Sequence, residues 1–131
     1  MNEDDKIIEY VENRELDITS VDIETNTNNN TEVRRVIFNV GENRITWKPK
    51  VSKEEYKDGL KIISKIPMTI DALPEKLKKI GSICQSMGKC KVKANYTAMT
   101  TDNDGQEVTY RYITSPVTLE KWEILPTETK I

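Results

Sequence analysis

The chain of 131 residues has a mass of 15.1 kDa, which is the size of one ordinary domain. Its 32% charged and 36% apolar residues suit a globular protein that buries about two-thirds of its unfolded surface without metal or disulfide support. No run of 18 apolar residues occurs, and the acidic N-terminus lacks the apolar stretch of a secretory signal. We therefore expect a cytoplasmic protein with no membrane partner.

The net charge of −2 conceals a strong segregation of charge along the chain. Residues 1–32 carry ten acids and two bases, residues 33–93 carry fifteen bases and six acids, and residues 94–131 carry three bases and six acids. The basic part indicates an anionic partner, unless the folded surface intermixes the charges. We predict an acidic arm with an Asn-rich loop over 1–31, an α+β core domain over 32–125 and a frayed tail over 126–131.

In chain order, residues 1–15 have the apolar spacing of a short amphipathic helix, and residues 16–24 are typical of an extended segment. The polar run NTNNNT over 26–31 predicts a mobile loop. From Glu32 onward, VRRVIFNV and RITWKPK flank a short Gly-containing turn, which predicts a β-hairpin.

Two helices are predicted next. Ser52 and Glu55 have the spacing of a capping box, which favours a helix from about 52 to 66. Pro74 favours a second helix, which we expect to end at Gly88.

A second hairpin follows, with its turn at 102–105, and TLEKWEIL is then a short strand or a docking helix. The predicted class is α+β: a four-stranded, mainly antiparallel sheet in which two hairpins flank a pair of helices (ββααββ).

The sequence offers little for chemistry, and we expect no enzyme and no cofactor. Histidine is absent, as are the recognisable nucleophile, phosphate-binding and metalloprotease motifs. Cys84 and Cys90 are too few for a structural zinc site, so we expect buried reduced thiols or, alternatively, one disulfide. Asp102-x-Asp104-Gly105 fits a hairpin turn better than a calcium loop, and we predict no metal site.

The basic residues, with one tryptophan, form the candidate nucleic-acid site. Single-strand binding needs a basic groove for phosphates and aromatic planes for bases. Trp47 either belongs to the core or provides such a plane. The candidate residues are Arg44, Trp47, Lys48 and Lys50 of the first hairpin, Lys57 and Lys61 of the first predicted helix, and Lys89, Lys91 and Lys93, which alternate along a predicted strand.

In size, element order and stretches such as RVIFNVGENRITWKPK, residues 32–125 resemble the single-stranded DNA-binding proteins of archaeal rod-shaped viruses, the rudiviruses. The resemblance implies a fold other than the OB-fold and a homodimer with a basic cleft. A homodimer is also indicated by Trp122, a lone tryptophan in an otherwise acidic segment. It also implies binding of single-stranded DNA without sequence preference in viral replication or recombination, in the host cell cytoplasm, with viral replication or recombination enzymes as partners. The alternative is a viral interaction protein that inhibits a host factor through its acidic arm.

Overall fold

The computed structural model describes residues 7–126, so the predicted frayed tail lies outside the described residues except for Pro126. The strands are β1 (Ile7–Ile18), β2 (Ser20–Thr25), β3 (Val33–Val40), β4 (Asn43–Trp47), β5 (Lys50–Lys57), β6 (Leu60–Pro67), β7 (Cys90–Asn103), β8 (Gln106–Ile113) and β9 (Glu123–Ile124). The α-helices are α1 (Glu75–Met87) and α2 (Pro116–Glu120), and a single 3-10 turn spans Ile70–Ala72.

Seven strands form one mixed sheet in the order β1-β7-β8-β4-β3-β2, with the short β9 paired to the beginning of β7. Every pairing is antiparallel except that of β4 with β8, which is parallel. β5 and β6 form a separate two-stranded sheet.

The helices cover one face of the large sheet, which we call the inner face. Val36, Phe38 and Trp47 of the β3–β4 pair are buried there with alternate residues of β7 from Cys90 to Ala98. α1 contributes Leu77, Ile80 and Cys84 to the same core, and α2 contributes Leu119. The opposite face, the outer face, has no helix over it among the described residues.

The predicted four-stranded ββααββ core is wrong. Residues 7–15 are not a helix but the first part of β1, which pairs with β7 along its whole length. The helical spacing of Ile7, Ile8 and Val11 extends over too few turns to outweigh a continuous antiparallel ladder. Both β1 and β2 therefore lie in the same sheet as the strands that follow the Asn-rich loop.

The predicted helix over 52–66 is also wrong, because this segment is the β5–β6 hairpin. Asp58 and Gly59 form its two-residue turn with φ values of 54° and 77°. Positive φ at both turn positions is the geometry that Asp-Gly favours and that matches the twist of the flanking strands. A helix through Gly59 would cost about 1 kcal/mol relative to alanine, and the isoleucines of β6 favour a strand.

Other predicted elements are confirmed. The β3–β4 and β7–β8 hairpins form as expected, the latter with Asp104-Gly105 as its turn. The second predicted helix is α1, and Gly88 ends it in the left-handed conformation with φ 82°. TLEKWEIL contains both of the predicted alternatives, since it spans the end of α2 and the two residues of β9.

Candidate functional site

The outer face of β3, β4 and β8 contains a cavity of about 800 Å³. In β4, Ile45 and Trp47 are buried, whereas Arg44 and the residue directly after the strand, Lys48, are exposed. Arg44 and Trp47 therefore lie on opposite faces of the sheet. Arg35 of β3 and three residues of β8, Tyr110, Arg111 and Tyr112, complete the basic and aromatic part of the lining.

The aromatic floor of the cavity comes from β8. Tyr112 lies beside Thr46 of β4 in the parallel register, and Tyr110 lies two residues away along the same face. Successive residues on one face of a strand are about 7 Å apart. Tyr110 is 55% exposed, so its ring is available to a ligand. Neither tyrosine was among the residues predicted from the sequence, although the alternation in TYRYI places them together on one side of the strand.

The charge of the cavity is positive, because its lining contains four cations (Arg35, Arg44, Lys48 and Arg111) and one acid, Glu42. Glu24 of β2 forms a bidentate ion pair with Arg35. Arg35 Nε donates a hydrogen bond to Glu24 Oε2, and Arg35 Nη2 donates one of 3.2 Å to Glu24 Oε1. The hydrogen bonds from Arg35 lower the pKa of Glu24, and the charge of Arg44 lowers it further. In residues 7–126, Arg44 and Lys48 belong to no ion pair. These two side chains are therefore available to an anion.

Trp47 lies on the inner face and is 1% exposed. It is next to Val36 on one neighbouring strand and Ile113 on the other. Its indole Nε1 has no hydrogen-bond partner. The structure therefore assigns Trp47 to the core, which was one of the two alternatives, and separates it from the basic residues of β4.

The candidates from the first hairpin and the predicted helix lie along β4 and the β5–β6 hairpin. Lys50 is exposed at the beginning of β5, in the separate two-stranded sheet, and it is not among the residues that line the cavity. The register places Lys61 on the hairpin face that begins at Lys50, where it forms an ion pair of 3.1 Å with Glu54. Lys57 lies on the other face of this hairpin.

The lysines at the beginning of β7 have acidic neighbours. Lys89 precedes the strand, and Lys91 and Lys93 lie on its outer face. In the register with β1, Asp17 is directly opposite Lys91, and Glu15 is directly opposite Lys93. Glu123 of β9 is opposite Lys93 on its other side.

Side chains directly opposite in a sheet are about 5 Å apart at Cβ, close enough for opposite charges to attract. Strands β1 and β9 thus place acids next to Lys91 and Lys93, although in residues 7–126 neither lysine forms an ion pair with them.

Two further groups of polar side chains are buried or half-buried. Tyr96 donates a hydrogen bond of 2.5 Å to Glu12, and this bond is the main cause that lowers the pKa of Glu12. Burial raises the pKa of Cys84 and raises the pKa of Cys90 to about 11, so both free thiols are poor nucleophiles at neutral pH.

Among residues 7–126, no three or more acidic or cysteine side chains are grouped to hold a metal ion. No helix in this part of the chain is long and apolar enough to cross a membrane.

Comparisons with known proteins leave the site to be interpreted from its own geometry. No protein-family model, no curated protein and no solved structure matches this chain.

Proposed function

We propose that this chain binds single-stranded DNA on the outer face of its large sheet, across β4 and β8. The observation that carries the proposal is the exposed ring of Tyr110 beside the unpaired cations Arg44 and Lys48 in one open cavity. Proteins that hold single strands combine these two features, because phosphates need positive charge and unstacked bases need an aromatic plane.

The sheet suits this ligand better than it suits a duplex. An open sheet face with aromatic side chains offers a flat platform on which splayed bases can stack, as in other single-strand-binding modules. A duplex keeps its bases stacked inside, so Tyr110 would have no base plane to contact. The five-residue α2 is too short for a recognition helix, and α1 buries its apolar side in the core.

Besides the replacement of Trp47 by Tyr110 as the stacking ring, the expected contacts differ from those predicted from the sequence in the choice of cations. Arg44 and Lys48 lie together in the lining of the cavity, whereas Lys50 belongs to β5 and lies outside that lining. Lys91 lies beside Asp17, and Lys93 lies between Glu15 and Glu123, so a phosphate there would meet negative charge. We therefore expect the DNA to contact Arg44 and Lys48 and to avoid Lys91 and Lys93. Tyrosine stacking and phosphate contacts do not distinguish bases, so binding should show little sequence preference.

The experiment measures fluorescence anisotropy of a labelled oligodeoxythymidylate with the wild-type chain and with Tyr110→Ala. Loss of one stacking ring should weaken binding by about 1–3 kcal/mol, or roughly 5- to 150-fold in Kd. Tyr110→Phe keeps the ring and should bind like the wild type.

Tyr10→Ala is the matched control, because Tyr10 is also exposed but pairs with the buried Ala98 and so belongs to the inner face. Equal weakening by Tyr110→Ala and Tyr10→Ala, or no binding of single-stranded DNA by the wild type, would contradict the proposal.

A further inference from the structure

The β5–β6 hairpin, which we call the ribbon, projects from the rest of the protein. Every residue from Lys50 to Ile66 is exposed. Within residues 7–126 the two strands make extensive contact with each other and only sparse contact with any other element. Along the chain, Pro49 alone separates the root of the ribbon from Lys48, which lines the cavity on the outer face of the large sheet.

The two faces of the ribbon differ in their chemistry. The register places four aliphatic side chains on one face, together with two lysines and one acid. We call it the aliphatic face, after Val51, Leu60, Ile62 and Ile66. The opposite face, which we call the aromatic face, has three lysines, one acid and the only aromatic ring of the ribbon, that of Tyr56.

Tyr56 is the most exposed of the five tyrosines in the chain. It is 74% exposed, against 55% for Tyr110 in the cavity. Lys61 is directly opposite Tyr56 in the register, and Lys65 follows on the same face of β6. An exposed ring beside cations is the combination that single-strand binding needs, because the ring takes a base and the cations take phosphates.

The lysines of the aromatic face are held only by exposed partners. Lys61 forms an ion pair of 3.1 Å with Glu54, and Lys65 Nζ donates a hydrogen bond of 2.9 Å to Ser52 Oγ. An ion pair between exposed side chains contributes little to stability, so a phosphate can replace the carboxylate as the partner of Lys61. In residues 7–126, Lys50 at the root of the ribbon belongs to no ion pair.

We propose that the aromatic face of the ribbon is a second contact region for single-stranded DNA, which receives the strand after it leaves the cavity. This inference rests on the proposed function. Lys50, Lys65 and Lys61 contact successive parts of the phosphate backbone from the root of the ribbon toward its turn, and a base stacks on Tyr56.

The length of the ribbon sets the length of DNA that is needed. Lys50 and Tyr56 are six residues apart along β5, which is about 20 Å at the rise of an extended strand. At about 3.4 Å between stacked nucleotides, this distance corresponds to about six nucleotides, and an extended strand needs fewer. A strand of only a few nucleotides therefore fills the cavity alone, whereas a longer one reaches Tyr56.

The experiment uses this difference in length. Fluorescence anisotropy is measured with a labelled oligodeoxythymidylate of about six nucleotides and with one of about twenty. Tyr56→Ala should raise the Kd for the longer strand by about fivefold or more, and it should change the Kd for the shorter strand by less than about twofold. Tyr56→Phe keeps the ring and should bind both strands like the wild type.

Two double variants test the choice of face at equal charge. Lys61→Ala/Lys65→Ala changes the aromatic face, and Lys53→Ala/Lys57→Ala changes the aliphatic face. Each variant removes two lysines, one of which forms an ion pair with a glutamate of the ribbon, so the two are matched. With the longer strand, only the first should make the slope of log K against log salt shallower, by about 1.4.

Binding of the longer strand that is unchanged in Tyr56→Ala, or equal salt slopes in the two double variants, would overturn the proposal and leave the proposed function intact. Failure of the proposed function gives a different result. In that case the wild type binds neither strand, or Tyr110→Ala binds the shorter strand like the wild type, and either result overturns this inference as well.

Discussion

Trp47 provides the sharpest test of how the sheet is arranged, because its two assignments predict opposite results. The side chain is fully buried between Val36 and Ile113, so Trp47→Ala leaves a large cavity at the centre of the core. Such substitutions cost about 3–5 kcal/mol. For a chain of 131 residues the entropy of unfolding converts this loss into a fall in Tm of about 10–20 °C.

Trp47→Phe should behave differently. It also loses buried volume, but it removes the indole N–H that has no hydrogen-bond partner. Leaving a buried donor unsatisfied costs about 1–3 kcal/mol, which offsets much of the lost packing. We expect the Phe variant to be within about 1.5 kcal/mol of the wild type.

The assay is urea unfolding followed by far-ultraviolet circular dichroism, since the substitution itself alters fluorescence. DNA binding is measured in parallel at a temperature where both variants are folded. Stability near the wild-type value in Trp47→Ala, together with binding weakened by a stacking increment, would refute the core assignment and place Trp47 in the interface.

The remaining predictions concern other parts of the core and one turn. Tyr96→Phe should lower the free energy of unfolding by about 1–2 kcal/mol at neutral pH. The pKa of Glu12 is lowered in the folded state, so the stability that its carboxylate contributes is present above about pH 4.5 and is lost as the pH falls. Urea titrations should therefore show that the difference in stability between wild type and Tyr96→Phe becomes smaller in acid. Cys84 and Cys90 should react with a thiol reagent at pH 8 only as fast as the protein opens, and rapid labelling of the native protein would contradict their burial. Gly105→Ala should lower the free energy of unfolding in urea by about 1–2 kcal/mol, because φ at this position is 78°. An added Cβ would meet no atom within 4 Å, so no new packing contact offsets the backbone cost. An unchanged urea midpoint would count against this turn geometry.

The sequence predicted best where a local signal and the tertiary fold agree. The β3–β4 and β7–β8 hairpins carry alternating β-branched and aromatic residues around glycine turns, and α1 has a complete apolar stripe with Gly88 at its end. Each of these elements could be located from its own residues, because each local preference matches the surface that the element buries.

The failures arose where a weaker signal was preferred or where the decisive partner is distant in sequence. At 52–66 the capping box of Ser52 and Glu55 predicts a helix, whereas Asp58-Gly59 is the stronger signal and predicts the hairpin. Strand β1 pairs with β7, which lies more than 70 residues later, and a pairing of that kind leaves no local trace. For the same reason the acids opposite Lys91 and Lys93 could not be foreseen from β7 alone.

The candidate site was predicted in part. Arg44 and Lys48 could be placed on one face because β4 alternates over its whole length. Tyr110 and Tyr112 alternate just as clearly in β8, but only the parallel pairing of β4 with β8 brings them beside those cations. A parallel pairing between two hairpins is a property of the assembled sheet rather than of either segment.

The salt dependence of DNA binding tests the central claim most directly. On a single strand, each phosphate contact contributes a slope of about −0.7 to log K against log salt. Arg44→Ala/Lys48→Ala should therefore make the slope shallower by about 1.4 between about 50 and 200 mM salt. Lys91→Ala/Lys93→Ala removes the same charge next to the acids of β1 and β9. This variant should leave the slope nearly unchanged. The opposite result, a shallower slope only in the Lys91/Lys93 variant, would contradict a binding site on β4 and β8.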